Sequence, residues 1–207
     1  MGAGHNISFD QIYELRFGSF ATQATDVPYS DWVATLAPAS KMVAGSNSQP
    51  GSEMTFGSGS PLIGTAPKSF TVPMVDGQSF SLKSQVGKVV VLDFWATWCG
   101  PCVKALPQME DAIANFSTDE VAFLAINLEE DVDASKEFLK ARVLNIPVGL
   151  DSGEISKQFD VTSVPQTVII DPQGKIAFLG VGNSNDLEEK LKNAIEELIE
   201  KDKATPQ

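Results

Sequence analysis

Two cysteines and one histidine are all that 207 residues offer in thiols and imidazoles. A tetrahedral zinc site needs four ligands, and the lone His5 sits far from the cysteines at the start of the chain, so structural zinc is excluded. Positive charge is also scarce: 15 Lys and Arg face 27 Asp and Glu, for a net charge of −12. A phosphate backbone or an anionic lipid surface would be repelled, which argues against nucleic-acid and peripheral-membrane partners. No apolar run approaches the roughly 18 residues that cross a bilayer, and the start lacks the charged and apolar sections of a signal peptide. The chain is therefore expected to be soluble and monomeric, without direct membrane insertion. Its opening, Met1-Gly2-Ala3-Gly4-His5, fits no particular natural start and leaves room for upstream sequence. Long-range cross-links are missing as well, because the two cysteines stand three positions apart and closing a two-residue loop gains little stability.

What is present is enough apolar content, 43%, for one good core. Residues 45–61 are dense in Gly, Ser and Pro and read as a flexible linker. Ahead of it, residues 1–44 form a separate N-terminal segment. Phe9, Ile12 and Tyr13 suggest a short helix there, and Trp32, Val33 and Leu36 a second one after Ser30. That segment is either the end of an upstream region, a mobile leader, or a packed accessory element.

From residue 62 to about 203 strands alternate with helices, before a short tail at 204–207. Asp76-Gly77 between two short β-prone runs predicts a hairpin. The run Lys88 to Phe94 predicts a strand buried on both faces, and Val121 to Leu128 another. Helices are predicted from Cys99 to Phe116, from Ala134 to Arg142, and from near Asn185, where Glu188 completes a capping box. Asp171-Pro172-Gln173-Gly174 suits a type I turn between strands at 167–170 and 175–179. The fold class is therefore α/β: a central mixed sheet flanked by helices, an N-terminal β-hairpin, and an irregular or short-helical N-terminal extension.

The chemistry lies in Trp98-Cys99-Gly100-Pro101-Cys102, at a predicted helix start. Unpaired N–H groups and the positive dipole end favour a thiolate there. Cys99 should be the exposed nucleophile with lowered pKa, and Cys102, one turn inward, can attack a mixed disulfide formed on it. Gly-Pro between them supplies no histidine to stabilise the thiolate, so the couple should be reducing. The rival use of the same sulfurs is Cu(I) capture in a metallochaperone-type module, for which two thiolates can suffice. Asp93 interrupts the apolar strand Val89-Val90-Val91-Leu92; a carboxylate inside it should be desolvated with a raised pKa, unless it stands exposed at a strand end. The run Glu129-Glu130-Asp131 with Asp133 follows a central strand and reads as a solvated loop capping the next helix, or else borders the active site.

Asp93-Phe94-Trp95-Ala96-Thr97-Trp98-Cys99-Gly100-Pro101-Cys102, followed by Pro107, resembles the active-site strand and helix of the thioredoxin superfamily. The likeness spans Gly64 to about Lys201. Gly64-Thr65-Ala66-Pro67, Gly87-Lys88 and the added Ile146-Pro147-Val148-Gly149-Leu150-Asp151 make it most similar to the extracytoplasmic branch typified by TlpA and ResA. The resemblance implies that Cys99 attacks, Cys102 resolves and Asp93 serves as base for Cys102. It also implies that Trp98, Gly100, Pro101, Val164 and Pro165 contact the substrate, with Pro165 as a cis-proline rather than a trans-proline in an ordinary loop. It implies no cofactor beyond the redox-active Cys99–Cys102 disulfide. Partners would be protein disulfides and an upstream thiol-disulfide electron donor, in cytochrome or copper-site assembly. The place of work would be extracytoplasmic (periplasmic) if a signal or anchor precedes this sequence, and otherwise cytoplasmic. Two positions depart from the pattern. Ala105 stands where ResA-type sequences have glutamate, and Ala125 where thioredoxins have a lysine beside the buried acid. The peroxidase motif Pro-x-x-x-Thr-x-x-Cys of peroxiredoxins is absent, since Thr97 is followed three positions later by Gly100.

Overall fold

A computed structural model describes residues 56–57, 59–129 and 132–204. The two short helices expected near Phe9 and after Ser30 lie outside the described residues, as does most of the 45–61 segment. Of that segment, Gly57 donates its N–H to the Leu179 carbonyl at 3.0 Å, and the Phe56 ring packs against Phe178 at 6.1 Å between centroids.

The chain first forms a hairpin, β1 (Thr71–Pro73) and β2 (Ser79–Ser81), paired antiparallel with Val72 opposite Phe80. Its turn follows the sequence expectation. Gly77 takes φ 87°, a left-handed conformation that costs glycine nothing, and Asp76 Oδ1 accepts from Gln78 N.

The main sheet has five strands in the order β5-β4-β3-β6-β7. Its centre is β3 (Val89–Trp95), all seven residues of which are buried, as a β-branched run between two neighbours must be. β4 (Val121–Asn127) runs parallel to it, while β6 (Gln166–Ile170) and β7 (Ile176–Val181) complete an antiparallel half. Between these two strands Gly174, at φ 81°, closes the expected turn onto the Asp171 carbonyl. The edge strand β5 (Val148–Leu150) falls in the segment that the sequence marked only as an addition. It receives the hairpin through a Met74–Gly149 bridge, and a methyl group added at Gly149 would stand 3.0 Å from Val72 Cγ1.

Alternation along β3 divides the core. Val89, Val91 and Trp95 share one face with α1 (Gly100–Ile113) and α4 (Leu187–Ala204), whose Leu106, Met109, Leu191 and Ile195 are buried against it. Val90, Leu92 and Phe94 share the other with Phe159 and the hairpin. α1 stops three residues short of Phe116, since a turn at Ala114 and Asn115 intervenes. α4 begins at Leu187, two residues later than the capping-box reading placed it, and its first backbone bond runs from Lys190 N to the Asp186 carbonyl. Two short helices were not anticipated: a 3-10 turn at Leu82–Gln85 after the hairpin, and α3 (Glu154–Gln158), held by Asp151, which accepts from Ile155 N and Ser156 N.

α2 (Val132–Arg142) ends in a Schellman turn, with Val143 N bonded to Lys140 O and Leu144 N to Leu139 O. The residue forced into left-handed conformation there is Val143, at φ 56° and 89% exposed. A β-branched side chain is strained at that φ and packs on little in return. Val143→Gly is therefore expected to stabilise the domain by about 1 kcal/mol, a rise of roughly 3 °C in Tm by calorimetry. An unchanged or lower Tm would show that the strain is absorbed elsewhere.

Candidate active site

The nucleophile position is built by the first turn of α1. Cys99 is its N-cap residue, with extended backbone (φ −83°, ψ 97°), and Pro101 in the first turn needs no N–H partner. Cys99 Sγ accepts from Cys102 N at 3.2 Å, so sulfur takes the place that a Ser or Asp oxygen holds in an ordinary cap. The two sulfurs are joined as a disulfide, with Cα atoms 5.2 Å apart. Burial is asymmetric around the pair: Trp98 is 73% exposed, Cys99 5% and Cys102 0%. Cys99 is therefore not the exposed nucleophile that the sequence predicts: the disulfide and the helix cap bury it, and the exposed neighbours that border it are Trp98, Gly100 and Pro101.

Asp93 lies between Val91 and Trp95 in the alternation of β3, so its side chain shares the face on which Cys99 and Cys102 are packed. It is fully buried, which removes the strand-end alternative. Oδ1 accepts from Thr167 Oγ1 at 3.0 Å, and Oδ2 has no partner among the described residues. The residue opposite it in the parallel ladder is Ala125, so no ammonium from that position offsets the burial. Desolvation therefore dominates over the Thr167 bond and pushes the Asp93 carboxyl up to about 8.

Val164 and Pro165 enter from β6, and the peptide between them is cis. Pro165 is buried and Val164 half-buried. The loop after β7 ties them to the cysteine turn. Gly182, at φ 98°, donates its N–H to the Pro165 carbonyl at 2.8 Å, and Asn183 Nδ2 reaches the Pro101 carbonyl at 3.4 Å. Neither residue stood out in the sequence, where Gly182-Asn183 carries only a turn signal. Gly100 and Pro101 themselves are exposed beside Cys99.

Glu129 requires a correction. Rather than lying in a solvated loop, its half-buried carboxylate clasps the active-site turn: Oε2 accepts from Thr97 N at 2.6 Å and Oε1 from Thr97 Oγ1 at 2.8 Å. The cause is the parallel pairing of β3 with β4. Trp95 pairs with Asn127, and two residues further along each strand Thr97 meets Glu129. Glu130 and Asp131 lie outside the described residues.

A mixed sheet with a cysteine pair at a helix N-terminus, and a cis-proline joined to it through one loop, defines a thiol-disulfide oxidoreductase of thioredoxin-like fold. The model of the AhpC/TSA family matches residues 63–179, and the chain belongs to that family. It is 36% identical over 133 residues to the thiol-disulfide oxidoreductase ResA of Bacillus thuringiensis subsp. konkukian, covering 63% of this chain and 77% of that one. It is 32% identical over 124 residues to ResA of Bacillus subtilis, covering 59% and 69%. Among solved structures, StoA from Bacillus subtilis superposes with a TM-score of 0.55 at 30% identity, covering 62% of this chain and 96% of that one. A thiol:disulfide interchange protein of the thioredoxin family from Chlorobium tepidum gives 0.60 at 26%, covering 65% and 96%. The protein is thus a thioredoxin-like protein-disulfide oxidoreductase. Among the described residues no helix is long and apolar enough to cross a membrane.

Proposed function

We propose that the protein works as a reductant of protein disulfides outside the cytoplasm, serving cysteine pairs destined for cytochromes or copper sites. The observation that carries the exchange reading is Cys99 as an N-cap beside an exposed Trp98, with Cys102 wholly buried; the reductive direction is supported by Gly100-Pro101, which supply no histidine to stabilise the thiolate. Trp98, Gly100, Pro101, Val164 and Pro165 form the surface against which the substrate chain lies. The Cys99 thiolate attacks one sulfur of the substrate disulfide, forming a mixed disulfide and releasing the other substrate sulfur as thiolate. Asp93 takes the Cys102 proton, and the Cys102 thiolate attacks Cys99 Sγ. The second substrate thiolate leaves, two electrons have passed to the substrate, and the Cys99–Cys102 disulfide remains for an upstream dithiol donor to reduce. The extracytoplasmic setting and the client class are supported by the resemblance to the TlpA and ResA branch.

Insulin reduction tests the reading. The dithiol form, supplied with dithiothreitol, is expected to precipitate insulin chains well above the dithiothreitol background, and failure to do so removes the reductive assignment. The compartment is tested separately, by locating the full gene product in fractionated cells.

A further inference from the structure

The clasp on Thr97 is more elaborate than support for a loop requires. Besides its two bonds to Thr97, Glu129 Oε2 accepts from Asn127 Nδ2 at 3.2 Å, and Glu129 N donates to Asn127 Oδ1 at 2.8 Å. Asn127 is fully buried at the end of β4, so the carboxylate is fixed at both ends: by a rigid strand on one side and by the backbone of the turn on the other. Leu128 N adds a bond to the Trp95 carbonyl. The turn so held is short. Ala96 accepts from Cys99 N at 3.1 Å, and Cys99 caps α1. Thr97 therefore lies one residue from the Ala96–Cys99 bond and two from the nucleophile.

We propose that Glu129 is a positioning residue for the exchange reaction: through Thr97 it fixes the turn that presents Cys99 and holds a negative charge beside it, which restrains the Cys99 thiolate and keeps the couple reducing. The inference rests on the reading of Cys99 as the attacking cysteine. The physical case is a balance of charges at one site. The α1 N-terminus stabilises a thiolate on Cys99, and a carboxylate bonded to the backbone N–H of Thr97, two residues before Cys99, opposes it. A thiolate that is less stabilised makes the dithiol form less favoured relative to the disulfide, and hence a stronger reductant.

Glu129→Gln separates charge from geometry. Glutamine keeps an oxygen for Thr97 N, and its amide can donate to Thr97 Oγ1, which reverses that one bond without opening the clasp. Two measurements read the cysteine pair itself. One is the rate of iodoacetamide labelling of Cys99 in the reduced protein at pH 7. The other is the equilibrium in which protein disulfide and two glutathiones become protein dithiol and glutathione disulfide. With Glu129→Gln, labelling is expected to be about fivefold faster, and the equilibrium to move about fivefold toward the dithiol. Thr97→Val, which removes one hydrogen bond and leaves the charge, should stay within twofold in the equilibrium. A folded Glu129→Gln protein within twofold of wild type in both measurements overturns the proposal, leaving Glu129 as mere support. An equal shift in Thr97→Val overturns it too, because the effect would then follow the loss of a bond. If Glu129→Gln fails to fold, Glu129→Ala with Tm and the same equilibrium replaces it under the same criterion. Both readouts concern glutathione and a small alkylating agent, so they stand even if insulin reduction fails.

Discussion

The Cys102→Ser variant is expected to stall on its substrate, accumulating a mixed disulfide on Cys99 that wild type never builds up. The first attack needs only the Cys99 thiolate, and that group keeps its N-cap place in the variant. Its one change of partner is small, since Sγ accepts from the backbone N of residue 102 and that N–H survives the substitution. The second attack needs a sulfur at position 102, and a serine hydroxyl at ordinary pKa does not displace a thiolate at neutral pH. Turnover in insulin reduction should fall to background, while non-reducing gels and mass spectrometry show a covalent adduct that dithiothreitol releases. Cys99→Ser should fall equally far with no adduct, because Cys102 is wholly buried and no substrate sulfur can reach it. An adduct on Cys99→Ser, or sustained turnover by either variant, would reverse or remove the assignment of attacker and resolver. Adducts recovered from cells expressing Cys102→Ser would also identify the clients directly.

How much of this could be read from the residues differs by element. The buried strand, expected over Lys88–Phe94 and found at Val89–Trp95, is plain to within one residue, because a β-branched run flanked by breakers has few other destinations. The hairpin was plain because Asp-Gly dictates its turn. The strand β5 was not, since three residues, Val148-Gly149-Leu150, are too short for any period to show. α3 was hidden for the same reason, its signal being one capping carboxylate, Asp151, three residues before its start. At the site, Cys99, Cys102 and the buried Asp93 are legible because each breaks a local rule: two thiols at a cap, an acid in an apolar strand. Glu129 and Asn183 break none. Their roles arise from pairing across 32 and 82 residues of sequence. The first could have been deduced from register alone, because two parallel strands bring their trailing residues together. The second could not, as no pattern links a loop after β7 to the Pro101 carbonyl.

Asp93→Asn is expected to make the protein more stable in alkali and slower in exchange. The sign follows from where the carboxyl titrates. In the unfolded chain it ionises near 3.8, and burial in the fold moves this to about 8. Below pH 4 both states hold the proton and burial of Asp93 carries no charge penalty. As pH rises from 4 toward 8 the unfolded chain gives up the proton while the fold retains it, so stability falls steadily. Above about 8 the fold holds a carboxylate with one unpartnered oxygen, and the whole penalty, on the order of 5 kcal/mol, is present. Asparagine keeps an acceptor for Thr167 Oγ1 and never ionises. Its Tm should match wild type near pH 4 and exceed it by on the order of 10 °C at pH 9. Resolution of the mixed disulfide should move the other way. Wild type gains rate up to about pH 8, as Asp93 becomes able to accept the Cys102 proton. The variant should be slower by roughly 10²-fold at that pH, the usual worth of a positioned base. A Tm difference that is flat with pH would mean that Asp93 titrates as an ordinary acid. A variant stabilised in alkali yet undiminished in resolution would mean that the acid is buried for another reason, with solvent carrying the proton. Only the combination, gained stability and lost rate over the same pH interval, ties the cost of burying Asp93 to the step it serves.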